Sequence, residues 1–133
     1  MSEVEKIGNV LVDIIPNSDA RGEVVKIMTA QKTGWPARDV IAVSTNPGVV
    51  RGNHYHKEKK EVLVVVLGKL KVSLVHVDTG ERKEFEMSGK KRQMLFINPN
   101  VAHSIKNIGD ETAWFIEVQS ADYSKDDDFV FQT

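Results

Sequence analysis

The sequence predicts an all-β fold, a sandwich or barrel built from short strands. Short apolar runs recur about every 8–12 residues, punctuated by Gly, Pro, Asn and Asp, which is the spacing of such folds. No stretch carries the 3.6-residue apolar period of a long amphipathic helix. There is also no internal repeat and no low-complexity linker.

Taken in order, Val10–Ile15 is an apolar run stopped by Pro16, Asn17 and Ser18. Glu23–Met28 and Val40–Ser44 follow, separated by the break Gly34-Trp35-Pro36. After the histidine-rich segment, Val62–Leu67 is continuously apolar and ends at Gly68. Leu70, Val72 and Leu74 then alternate with Lys71 and Ser73, the pattern of a half-buried strand. Asp78-Thr79-Gly80 signals a hairpin turn. Arg82–Met87, Met94–Ile97, His103–Asn107 and Ala113–Val118 complete the series. The segment 124–133 carries three consecutive aspartates and reads as a solvated end, although Phe129, Val130 and Phe131 would let it pack back.

At 133 residues the chain is long enough for one domain with a core of its own, so residues 1–133 are read as a single unit. A net charge of -1 argues against a nucleic-acid or other polyanion partner. With no cysteine, disulfides, thiolate ligands and thiol nucleophiles are excluded. The N-terminus lacks the apolar stretch of a signal peptide and no run is long enough to span a bilayer. The expectation is a soluble, cytoplasmic protein with no membrane partner.

The chemistry concentrates in Gly48–Gly68, where the spacing is G-x5-H-x-H-x4-E-x6-G. Alternate side chains of a strand share a face, so His54 and His56 are expected to point together and Tyr55 to point away. Glu61 opens the following apolar strand, and His103 lies in a second, distant segment. Three imidazoles and a carboxylate suit a borderline or hard divalent cation: zinc, iron, manganese, nickel or copper. A pocket histidine can instead be a general base, and a nitrogen that binds a metal cannot also take a proton. Both readings of His54 stand at this point.

Gly48–Gly68 resembles the first motif of the cupin superfamily, with every defining position filled. The second cupin motif, Pro-x-Gly-x-x-His-x3-Asn, is matched at His103 and Asn107, with Asn98 and Asn100 replacing the proline and glycine. Asparagine enters the left-handed region more readily than most residues, which suits Asn100 to the glycine position. The resemblance spans residues 48–107 and implies a jelly-roll barrel, the cupin double-stranded β-helix. It also implies His54, His56, Glu61 and His103 as metal ligands.

A narrower likeness is carried by Gly48-Val49-Val50-Arg51-Gly52-Asn53-His54-Tyr55, which is similar to a segment of dTDP-4-dehydrorhamnose 3,5-epimerases. There the arginine holds the nucleotide diphosphate and the first histidine is the base, roles that fall on Arg51 and His54. The R-G-x-H-x-H form also resembles dTDP-hexose 3,4-ketoisomerases, which implies catalytic roles for both His54 and His56. The strongest likeness is to the C-terminal cupin domain of capsular-polysaccharide nucleotide-sugar enzymes, through Gly52-Asn53-His54 and His103-Ser104-Ile105-Lys106-Asn107. That domain is a zinc-containing epimerising module that follows a reductase domain, and no reductase domain is expected here.

These resemblances imply an isomerase, a nucleotide-sugar epimerase or ketoisomerase acting on a 4-keto-6-deoxy sugar in polysaccharide biosynthesis. They also imply a divalent cofactor, zinc first, and a homodimer in which strands within residues 1–30 are exchanged. A cupin dioxygenase using iron and a non-catalytic sugar-binding cupin are the alternatives. Lys57–Lys60 reads as a solvated loop, Trp35 as a packing residue, and Tyr123 as a possible member of a pocket rim.

Overall fold

The computed structural model describes residues 7, 8, 10–27 and 33–133. Two five-stranded antiparallel sheets face one another, as a jelly-roll barrel requires. The first has the order β1 (Leu11–Asp13), β9 (Gln93–Ile97), β6 (Glu61–Leu67), β11 (Ala113–Gln119), β4 (Asp39–Thr45). The second runs β12 (Phe129–Val130), β5 (Val50–Tyr55), β10 (Val101–Asn107), β7 (Lys69–His76), β8 (Arg82–Ser88). A separate hairpin joins β2 (Asn17–Asp19) to β3 (Gly22–Val24).

Leu63, Val65, Leu70, Val72, Leu74, Leu95, Ile105 and Phe115 fill the space between the sheets. A smaller cluster lies on the other face of the first sheet, where Val62, Val64, Met94 and Val118 are covered by Val25, Ile27 and Trp35. Burial on both faces explains why Val62–Val65 is continuously apolar rather than alternating. Strand β7 alternates between accessible and buried positions over Lys69–Leu74, and only at Val75 is its outer face also buried.

The expected strands all recur, with two differences near the ends. Asn17–Asp19, read from its residues as a turn, pairs with Gly22–Val24 around a tight hairpin. The strand expected over Glu23–Met28 stops at Val24, and Met28 lies outside the described residues. The Asp78–Gly80 turn forms as expected, with Gly80 at φ 76° and its N–H donated to His76 O. His76 Nδ1 accepts from the Asp78 and Thr79 amides at 3.2 and 3.4 Å, so this histidine serves the turn.

The segment 124–133 differs most from its expected solvated state. A short 3-10 helix, Lys125–Asp127, leads into β12, which pairs with β5 as Phe129↔Tyr55 and Val130↔His54. Asp127 accepts the backbone N–H groups of Lys57, Glu58 and Lys59 on its carboxylate. Thr133 reaches Asn53 and Ser104 through its hydroxyl. Carboxylates that look solvent-seeking in sequence are used here to satisfy a loop's backbone donors.

Candidate functional site

Strand β5 enters the site through a bulge. His103 pairs with His54, but the next residue of β10, Ser104, pairs with Gly52, leaving Asn53 unopposed. Gly52 and Asn53 have φ of 99° and 57°, and a Cβ on Gly52 would stand 2.6 Å from His103 O. Glycine is required there by both backbone conformation and contact. The extra residue resets the alternation, so that Arg51 lines the same cavity as His54 and His56. Tyr55 points away, stacked on Phe129 with ring centroids 5.2 Å apart.

The cavity has a volume of about 280 Å³ and is lined by both sheets: Arg51, His54 and His103 from one, Ile41, Glu61, Phe115, Glu117 and Gln119 from the other. Lys59, Tyr123 and Asp128 also line it. His54, His56 and His103 offer ring nitrogens that lie within 4.8 Å of one another. Glu61 Oε1 faces His56 Nε2 at 3.3 Å and His103 Nε2 at 3.6 Å. Asn100, at φ 65°, turns the chain into β10, as its replacement of a glycine requires.

The ring orientations are fixed from behind. His56 Nδ1 donates to the carbonyl of Asp127 at 2.6 Å, and His103 Nδ1 donates to that of Val101 at 3.2 Å. Each neutral ring then presents the lone pair of Nε2 towards Glu61. His54 Nδ1 lies 3.3 Å from Asp128 Oδ1. Glu61 Oε2 accepts from Gln119 at 3.0 Å, which aims Oε1 at the rings.

Burial opposes charge on His103, and its pKa falls to about 4 despite the nearby Glu61 carboxylate. Burial also lowers that of His54, helped by His56 and partly offset by Asp128. For His56 burial acts in the same sense, but Glu61 and the Asp127 carbonyl outweigh it and raise the value. Glu61 is pushed up by burial and pulled down more strongly by His56, His103 and Lys59, to about 2. Glu117 goes the other way, to about 7, because it is buried and near the Glu61 charge.

Glu61 Oε1 and His103 Nε2 are fully buried with no hydrogen-bond partner among the described residues. Two imidazole lone pairs and an ionised carboxylate that face each other across a buried space repel, and either a proton on His56 or a cation among them relieves it. His54, His56 and His103 could hold a metal ion, and Glu61 Oε1 faces two of these rings, a donor set whose chemistry suits a divalent ion of the zinc type.

Arg51 Nε donates to Ser44 O and Thr45 Oγ1, and Nη2 to Ser44 O at 2.9 Å. One edge of the guanidinium is anchored to β4, and Nη1 has no hydrogen-bond partner among the described residues. Asn107 ties the loop behind the site, donating to the carbonyls of Thr45 and Glu111 at 2.8 Å.

Sequence reasoning missed Lys59, Glu117, Gln119 and Asp128. Lys59, expected in a solvated loop, is only 7% exposed because Asp127 folds that loop inward. Glu117 and Gln119 share an inward face with Phe115, at alternate positions of AWFIEVQ. Trp35 packs in the outer cluster, as expected, and Tyr123 stands at the cavity with 66% of its surface exposed.

The jelly-roll barrel and its inward histidine–glutamate cluster define a cupin. Residues 17–128 match the family described as Polysaccharide biosynthesis C-terminal domain, and the chain belongs to that family. It is 30% identical over 97 residues to a UDP-2-acetamido-2,6-beta-L-arabino-hexul-4-ose reductase of Pseudomonas aeruginosa, an alignment covering 73% of this chain and 25% of that protein. The chain thus spans about a quarter of the length of this curated relative. Among solved structures it is similar to QdtA, a sugar 3,4-ketoisomerase of Thermoanaerobacterium thermosaccharolyticum in complex with TDP (TM-score 0.80, 22% identity, covering 92% of this chain and 88% of that one). It is also similar to the capsular polysaccharide assembling protein CapF of Staphylococcus aureus (TM-score 0.69, 28% identity, 90% and 34%). No helix among the described residues is long and apolar enough to cross a membrane.

Proposed function

We propose that this chain is a nucleotide-sugar epimerase or ketoisomerase acting on a 4-keto-6-deoxy sugar in polysaccharide biosynthesis. The observation that carries the reading is one cavity holding both a buried histidine–carboxylate cluster and an anchored arginine with a free end. A carbon acid next to a ketone needs a base and a positive environment for the oxygen. A diphosphate needs planar donors, which Arg51 supplies. The named activities of QdtA and of the Pseudomonas relative support a keto sugar linked to a nucleotide.

His54, His56, Glu61 and His103 are proposed to hold a divalent ion, zinc first, with iron, manganese or nickel as alternatives. When bound, such an ion supplies a Lewis acid for the ketone oxygen. On this reading Asp127 and Val101 set the tautomers of His56 and His103, and Asp128 orients His54. Elemental analysis of protein purified without added metal decides the role of His54. A stoichiometric ion makes it a ligand, and metal-free active protein makes it, with Asp128 behind it, the base.

The reaction is tested by following solvent deuterium into UDP- and dTDP-4-keto-6-deoxy sugars. Exchange is expected in the wild type and lost in His54→Ala. No exchange with any of them on metal-replete protein rejects the reading.

A homodimer is inferred from the edge of the first sheet. β4 has no outer neighbour among the described residues, and Val40 is 61% exposed on it. The β2–β3 hairpin joins neither five-stranded sheet and carries Val24 exposed. Laid along β4 of a second copy, it would cover both. Light scattering at micromolar concentration should give twice the chain mass, and a monomer mass rejects the arrangement.

A further inference from the structure

The cavity holds one carboxylate that the histidine cluster does not use. Glu117, on β11, lines the cavity beside Gln119 and Phe115. Gln119 Nε2 donates to Glu61 Oε2 at 3.0 Å and to Glu117 Oε2 at 3.3 Å, holding the two carboxylates in fixed relation. Glu61 is fully committed, since Oε2 is tied to Gln119 and Oε1 faces the rings. Glu117 Oε1 accepts no hydrogen bond among the described residues and is not sealed from the cavity. We infer that, with His54 serving as a ligand, Glu117 is the residue that takes the proton from the substrate carbon; the inference rests on the function proposed above.

A structural role accounts poorly for this side chain. Glu117 has no ion-pair partner among the described residues, and a half-buried carboxylate without one costs stability that glutamine would not. Groups kept at such a cost beside a cavity cluster at functional sites. The three histidines are held at Nδ1 by Asp127, Asp128 and Val101 and offer their other nitrogens to the cluster, while Arg51 is anchored to Ser44. Burial disfavours the ionised form of Glu117 and raises its pKa, the direction that strengthens it as a proton acceptor.

The step balances without a co-reactant. The C–H bond next to the ketone breaks, its proton passes to Glu117 Oε1, its electron pair forms the C=C bond, and the carbonyl π pair moves to oxygen. Lys59, buried at the same cavity and without an ion pair among the described residues, offers positive charge to that oxygen. Returning the proton to the neighbouring carbon, while a hydroxyl proton moves between the two oxygens, gives the ketoisomer. Protonation of the original carbon on its other face by water, with Glu117 releasing its proton to solvent, gives the epimer.

The test compares metal-replete wild type, Glu117→Gln and Glu117→Asp in deuterated water with UDP- and dTDP-4-keto-6-deoxy sugars. Exchange is read by proton NMR, UDP affinity by calorimetry and metal content by elemental analysis. Glu117→Gln should slow exchange by about 100-fold or more while UDP affinity and metal content stay within about twofold of wild type. Glu117→Asp, one methylene shorter, should fall between the two. Exchange by Glu117→Gln within about threefold of an active wild type overturns the role of Glu117 and leaves the proposed function standing. Equal loss of exchange and of UDP affinity in both variants also overturns it, because the residue is then structural. A wild type inactive with every substrate overturns both.

Discussion

The backbone carbonyl of Asp127 accepts the Nδ1 proton of His56 at 2.6 Å, across 71 positions of sequence. The same aspartate, through its carboxylate, holds the amides of Lys57, Glu58 and Lys59. One residue thereby sets the tautomer of a site histidine and the path of the loop leading to Glu61. In Asp127→Ala the three amides lose their acceptor, at a cost of about 1–3 kcal/mol. We expect a melting temperature lower by several degrees and weaker zinc binding in a chelator competition. An unchanged melt would mean that the loop holds its shape without this cap.

Gly52 stands where β5 passes His103. Gly52→Ala combines a left-handed backbone with a Cβ 2.6 Å from a carbonyl oxygen, and should cost about 3 kcal/mol in urea unfolding. Gly80 has a similar φ of 76° but open space around it, so Gly80→Ala should cost only about 1 kcal/mol. Equal losses would show that φ alone, and not the approach to His103, imposes glycine in the motif.

These two positions also show how far the sequence could be read. His54, His56 and Glu61 were legible because period-two alternation and spacing are local properties of β5 and β6. The bulge at Asn53 was not, since it arises from the pairing with β10, about fifty residues away. Arg51 falls on the odd side of the alternation and reaches the cavity only through that bulge. Glu117 and Gln119 were hidden for another reason: in AWFIEVQ the outer face, with Trp114 and Ile116, is as apolar as the inner one. Of the outer residues, Ile116 and Val118 meet a second cluster that only the folded chain assembles. Asp127 and Asp128 look like a charged end because nothing local indicates their partners in β5 and its loop.

Arg51 is anchored along one edge to Ser44 and Thr45 and open at the other. Lysine cannot hold the Ser44 carbonyl and present a planar pair of donors at the same time. Arg51→Lys should therefore weaken UDP and dTDP binding about tenfold, or about 1.4 kcal/mol, with folding unaffected. Calorimetry at low and moderate salt checks this. Affinity equal to wild type at both would place the diphosphate elsewhere.

The stability of metal-free protein should respond to pH with opposing contributions from facing carboxylates and imidazoles. His103 titrates at about 4 when folded against 6.5 ordinarily, so the unfolded chain holds its proton more readily and stability falls as pH drops from 6.5 to 4. Glu61, at about 2 against 4.5, adds stability above pH 4.5 that is lost as pH falls towards 2. Glu117 has the reverse sign. Its folded value of about 7 lies above 4.5, so its contribution is most favourable below pH 4.5 and is lost as pH rises to 7. Between pH 4.5 and 6.5 Glu117 and His103 nearly cancel in the wild type. Glu117→Gln removes one side of that balance while keeping an acceptor for Gln119. In chelator-treated protein the variant should exceed wild type by about 3 kcal/mol at pH 8, with the gain vanishing below pH 4.5. Urea midpoints across pH 4–8 measure the difference, and a gap that does not widen with pH would show that Glu117 is ionised in the folded state at no cost.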